Sequence, residues 1–128
     1  MLNRDTISKT SYLATRQILA NVDLQSSVGC IVPKSLGVAV GNKTIAKAGT
    51  PIYVDLMNLQ TPAVKADGTT ALNAVLLHDV DVTAGNANGT ALIFGFVNVN
   101  RVDTDVAAAI TTAIAADGVS EKITFMKA

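Results

Sequence analysis

The chain has 128 residues, enough for one domain that buries a core without disulfide staples. Apolar residues make up 49% of it, and charged residues, ten basic against ten acidic, only 16%, which argues against disorder along its length. With no net positive charge, no Lys/Arg cluster and few aromatic rings to stack on bases, nucleic-acid binding is disfavoured.

Residues 1–27, "MLNRDTISKTSYLATRQILANVDLQSS", contain neither Gly nor Pro and read as an N-terminal arm. Their polar start is unlike the apolar centre of a signal peptide, so the expectation is a soluble chain made in a cytoplasm. Tyr12, Leu13, Ile18 and Leu19 have the spacing of a short amphipathic helix over about 11–21, with a mobile arm as the alternative. Such an arm, with few and scattered apolar residues, is expected to add little to the core of the body.

From Val28 to the end the pattern is that of a single β-rich domain, 28–128. Apolar runs alternate with Pro33, Gly37, Gly41, Gly49 and Pro51. Gly41-Asn42 is turn chemistry between "LGVAV" and "TIAKA", and Pro51 belongs at a strand start or an edge. "LQTPAVKADGTT" reads as a polar connector with a turn at Asp67-Gly68. A strand over 72–82 follows, apolar on both faces at first and on one face later. "TAGNANG" is its loop, with Gly85 and Gly89 free to take positive φ, and "TALIFGFVNVN" returns to complete a hairpin. Gly95 within the return strand predicts a bulge or a close backbone approach.

"DTDVAAAITTAIAADG" is a helix, capped by Asp103 or Thr104, with Asp105 in its first turn. Val106, Ile110 and Ile114 form its apolar stripe, and Gly118 ends it. "KITFMKA" supplies a last strand with Ile123 and Phe125 on one side. The fold class expected is mainly β with one short C-terminal helix, a small β-barrel or β-sandwich carrying an N-terminal arm.

Chemistry-bearing residues are sparse. His78, the one histidine, precedes Asp79 and Asp81 in "HDVD". Strand alternation places the imidazole opposite both carboxylates, and no second His or Cys pair completes a metal set. Asp79 and Asp81 could share a cation with Asn86 or Asn88, but the remaining ligands of a calcium loop are missing. Cys30, the single cysteine, sits in apolar "VGCIV" and reads as structural. "GVAVGNK" lacks the phosphate-cradling pattern. The sequence predicts no enzyme, no catalytic, cofactor or metal site, and no membrane span. Low charge and a mean hydropathy of +0.39 favour self-association.

Two stretches carry a resemblance: Ala74-Val75-Leu76-Leu77-His78-Asp79-Val80-Asp81 and Ala91-Leu92-Ile93-Phe94-Gly95-Phe96-Val97-Asn98. With the helix and final strand, residues 34–128 in outline resemble the lambda-type head decoration proteins of tailed bacteriophages, and also phage head-fibre base domains. One departure is Asn73-Ala74-Val75, where that family commonly has a glycine. The resemblance implies a bacteriophage structural protein: a homotrimer on the outer capsid surface of the virion, bound to the major capsid protein and stabilising the mature head. It also implies that the arm lies on the coat, with Ile7, Tyr12, Leu13, Ile18 and Leu19 as candidate capsid contacts. A trimeric base of a head fibre or spike is one alternative. A small ligand-binding or enzymatic β-barrel is the other, and it demands a convergent polar pocket that the sequence does not supply.

Overall fold

A computed structural model describes residues 17–21, 23–67, 72–117 and 122–127. It is mainly β, built from two open sheets and one helix near the C-terminus. Strand β1 (Ser26–Val32) is followed by β2 (Val38–Val40) and β3 (Lys43–Ala46), then β4 (Pro51–Tyr53) and β5 (Val64–Lys65). Next come β6 (Ala74–Leu76), β7 (Val80–Asp81), the long β8 (Ala87–Asn98), helix α1 (Thr104–Asp117) and β9 (Ile123–Met126). The larger sheet has the order β1-β8-β6-β4-β5, all antiparallel, and β9 adds to β8 in parallel. The smaller sheet is β2-β3-β7, also antiparallel.

Side-chain alternation along the larger sheet explains why its central strands are apolar on both faces. Ala74 and Leu76 of β6, with Ala91 of β8, face a core shared with Ala46 and Val80 of the smaller sheet and with Val82 just after it. Val75, Leu77 and Leu92 face the opposite way, toward Ala113 of α1 and Ile123 of β9. A strand covered on both faces reads as a continuous apolar run, because neither side meets water. The result is three layers, small sheet, large sheet and helix, with the large sheet between two cores.

Several local expectations hold. Gly41, at φ +63, makes the β2–β3 turn that pairs Val40 with Lys43. Pro51 opens β4 and, being without an amide hydrogen, is suited to that first position. Helix α1 buries Val106 and Ile110 of the expected stripe, with Ala113 beside them, while Ile114 is only half-buried; Asp105 occupies its first turn. Gly95 takes φ +156 and lies against the Leu24 carbonyl, where a Cβ would sit at 3.4 Å. Just before it the β1–β8 register shifts, so that Ser26 faces Phe94 and Ser27 faces Leu92. Ile93 is the extra residue, a bulge.

Other expectations are corrected. The single strand over 72–82 is two strands: β6 pairs with β4 and β8, and β7 leaves for β3. The hairpin partner of β8 is therefore β6 alone, across a connection that visits the second sheet. Gly89 lies inside β8 without a positive φ. A Cβ there would come within 2.6 Å of a Val32 methyl, so the glycine serves close packing. The connector at 59–70 contains β5, and Ala63 and Ala66 are buried. Gly68 and Gly118 lie outside the described residues.

The largest correction concerns residues 17–21, which form no helix. Leu19 bridges Val97 antiparallel, the Ala20 amide donates to the Phe96 carbonyl, and the Asn98 amide donates to the Ile18 carbonyl, each at 2.8 Å. Ile18 is fully buried and Leu19 is 6% exposed, both in the core with Leu92, Val97 and Ile123. This segment thus continues the line of β1 along β8, with residues 23–25 unpaired ahead of β1. Leu24 at that interruption is 53% exposed.

Candidate contact surface

The "HDVD" residues fall where the chain crosses between sheets, and the structure gives the two carboxylates separate duties. Asp79 accepts a hydrogen bond from the Ala48 amide at 2.7 Å. The neighbouring Gly49 amide donates to the Leu76 carbonyl, so the 48–50 loop is laced to the end of β6. Asp81 accepts from the Thr83 amide at 2.9 Å and lies 3.7 Å from the Lys43 ammonium. The first bond starts the turn into β8, and the second joins neighbouring strands of the small sheet. His78 is half-buried, and its Nδ1 is enclosed without a hydrogen-bond partner among the described residues. No group of three His, Cys, Asp or Glu side chains among the described residues gathers as metal ligands do. Asn86 accepts from the Lys34 amide at 3.1 Å, which assigns its side chain to the loop.

A second charged cluster lies at the start of α1. Lys47 reaches Asp103 at 3.1 Å and Asp105 at 3.3 Å, tying the end of the small sheet to the helix N-terminus. Burial works to lower the Lys47 pKa, but the hydrogen bonds and charges of Asp103 and Asp105 together leave it raised. A lysine held charged between two carboxylates is a clamp, not a proton carrier.

Cys30 is buried beside Val32, and burial pushes its thiol pKa up. It borders a cleft of about 310 Å³ lined by Gly29, Cys30, Ile31, Leu59, Gln60, Asn88 and Gly89. Among the described residues the only ionisable group lining it is that suppressed thiol.

The candidate capsid contacts divide. Ile7, Tyr12 and Leu13 lie outside the described residues. Ile18 and Leu19 point into the chain's own core and have no surface to offer a partner. Their spacing with Tyr12 and Leu13 suggests a short amphipathic helix of the arm, and only the pairing with β8 reveals their place.

Sequence reasoning missed the turn after β4. Met57 is 94% exposed and Leu56 44%, in a tight, well-bonded loop. Asp55 accepts from the Met57 amide at 3.0 Å, and the Asn58 amide donates to the Asp55 carbonyl at 2.9 Å. Asn58 then accepts from the Gln60 amide at 3.2 Å. At the loop's root, Asn73 holds both the amide and the carbonyl of Val54. Asx bonds of this kind stiffen a turn. Here they hold two apolar side chains outward, and the signal was present in "DLMN": turn formers flanking residues that a solvent-facing turn does not need.

No helix of the described residues is long and apolar enough to cross a membrane. No protein-family model matches the chain, and no curated protein matches it.

Proposed function

We propose that this chain is a structural virion protein that binds the outer surface of a bacteriophage capsid as an oligomer and stabilises the mature head, without catalysis. The observation that carries the reading is the stiffened Leu56–Met57 turn, an apolar projection on a body whose charged clusters are occupied in holding loops and helix ends. A turn whose backbone is already held costs little backbone entropy to dock, which favours a contact repeated many times over a shell. The resemblance carried by residues 74–81 and 91–98 supplies the partner, a major capsid protein. Function is then mechanical: added contacts raise the work of parting neighbouring coat subunits.

Co-sedimentation of the purified protein with undecorated heads built from the coat protein of the same genome tests this. Binding is expected to saturate, and Met57→Glu is expected to weaken it by about 30-fold, about 2 kcal/mol, as for a central contact residue. The melting temperature of that variant should be unchanged, because Met57 touches little of the body. Absence of binding by the wild-type protein would refute the proposal. Undiminished binding by Met57→Glu would remove this turn from the interface.

A further inference from the structure

Residues 88 and 89 are the one Asn-Gly pair in the chain. In that dipeptide no side chain shields the amide nitrogen after the asparagine, and the nitrogen can attack the carboxamide carbon. Packing dictates the glycine, since a Cβ at 89 would come within 2.6 Å of a Val32 methyl and 3.1 Å of a Val80 methyl. Asn88 is exposed and lines the 310 Å³ cleft, so its side chain has room to turn. What holds the Gly89 nitrogen back is β1. Cys30 lies opposite Gly89 in the β1–β8 register, and Ile31 lies opposite Asn88. The Ile31 carbonyl accepts from the Ala63 amide, away from β8, and the Thr90 carbonyl accepts from the Leu77 amide, away from β1. Opposed residues of an antiparallel pair alternate between exchanging two bonds and exchanging none. Cys30 and Gly89 are therefore a bonded pair, with the Gly89 amide donating to the Cys30 carbonyl.

We propose that Asn88 is a self-modification site gated by β1, and that its product keeps β1 from closing again. Two conditions of the reaction fail while β1 is in place. The Gly89 nitrogen must give up the proton it donates to Cys30, and the backbone at Asn88 must rotate to bring that nitrogen beside the carboxamide carbon. Once β1 leaves, both can be met. The nitrogen bonds to the side-chain carbon, the bond from that carbon to its NH2 group breaks, and ammonia departs with the proton from Gly89. A five-membered cyclic imide remains. Water adds to either of its carbonyls and opens the ring, giving aspartate, or isoaspartate with the backbone running through the side-chain carbon. β1 is suited to leave. It is the end strand of the larger sheet, and among the described residues one backbone bond, from Ala63 to Ile31, holds its other side. Only Cys30 and Val32 of its seven residues are buried. An end strand with so little buried surface opens at lower cost than the whole domain. Isoaspartate at 88 adds a backbone carbon and a negative charge opposite Ile31. Ala87 then falls out of step with Val32, and the ladder beyond Gly89 cannot re-form. This inference stands apart from capsid binding.

Peptide mass analysis of the purified full chain, held at mildly alkaline pH, follows residue 88. Conversion raises the mass of its peptide by one dalton, and backbone fragmentation separates isoaspartate from aspartate. Conversion should be rapid in urea above the unfolding midpoint and at least about 100-fold slower in native buffer. Below the midpoint its rate should rise with urea on a shallower slope than whole-chain unfolding, since releasing one strand exposes less surface. A native rate equal to the unfolded one, or a slope equal to that of global unfolding, would overturn the gate. A lock on β1 gives a second reading. Gly29→Cys with Thr90→Cys, in a Cys30→Ala background, sets two cysteines opposite each other at a pair that exchanges no bonds. Oxidised, this variant should convert at least about 10-fold more slowly in native buffer than when reduced. Equal rates would mean that β1 is not the gate. Chains converted in native buffer, separated by their added negative charge, report on closure. Their Val28, Cys30 and Val32 amides should exchange hydrogen faster than in unconverted chains, with the Leu92 and Ile123 amides as protected as before. Unchanged protection along β1 would refute the block on closing.

Discussion

Replacing Ile18 by alanine asks whether residues 17–20 belong to the body or to an arm. Ile18 has no exposed surface and packs in the core with Val97, Leu92 and Ile123, while the backbone on either side of Leu19 is bonded to β8. Truncating a fully buried isoleucine removes about 2–5 kcal/mol, part transfer free energy and part the cavity left behind. The segment lies at the end of its sheet, where neighbours can relax into the space, so a value of about 3 kcal/mol is expected. With a urea dependence of about 1.5 kcal/mol per molar, the unfolding midpoint should fall by roughly 2 M. Leu24→Ala is the internal control: 53% exposed and only four residues after Ala20, it should change stability by less than about 0.5 kcal/mol. Both variants are to be unfolded in urea at one fixed protein concentration, because self-association would otherwise enter the midpoint. Equal midpoints for the two would refute the placement of Ile18 in the core. The same reasoning separates two truncations, since removal of residues 1–16 should leave the melting temperature of the body nearly intact while removal of residues 1–20 should not.

The two carboxylates of "HDVD" should part company. Asp79→Ala strands the Ala48 amide and is expected to cost about 1–3 kcal/mol, whereas Asp81→Asn, at a 3.7 Å surface pair, should cost under 1 kcal/mol; chelator should move neither melting temperature, and a drop on chelation would reveal a metal. For Lys47 the folded pKa is raised, so its stabilising contribution is complete below the ordinary lysine value of about 10.4 and is lost as pH climbs through the folded value. Wild type should therefore melt above Lys47→Met by a constant margin from pH 7 to 9, and the margin should shrink as pH rises past the ordinary lysine value; a margin that does not shrink there would mean the ion pair is not its source.

Much of the β body could be read from residues whose backbone chemistry leaves few choices. Gly41-Asn42 turns, Pro51 opens a strand, and Val106 and Ile110 are buried on one helix face because their spacing follows the helical period. Alternation, however, reports which face a residue occupies and not which sheet its strand joins. That is why 72–82 reads as one strand although it serves two sheets, with the Asp79–Ala48 bond at the crossing. The two-residue β5 is too short to carry a pattern, and the burial of Ala63 and Ala66 follows from tertiary packing. The exposed turn was hidden by the opposite effect. Leu56 and Met57 resemble core residues in sequence, and only the Asp55 and Asn58 bonds show that they face out.

Where the exposed apolar side chains lie bears on how such a protein could act. Val38 and Val40 are on the edge strand of the small sheet, and Tyr53 and Val64 are cross-strand partners at the far end of the large one. Leu56 and Met57 cap a turn, while Phe94 sits beside the bulge of β8. These sites are small and separate. One cluster of two side chains supports an affinity of millimolar order at best, too weak to hold a lone chain on a partner. Joining copies in an oligomer would change that arithmetic, because once one copy is bound the others meet their sites at an effective concentration of millimolar order. Two or three weak contacts then act as one strong one, provided the sites on the partner repeat with the geometry of the oligomer. A capsid lattice has that repetition and a free coat subunit does not.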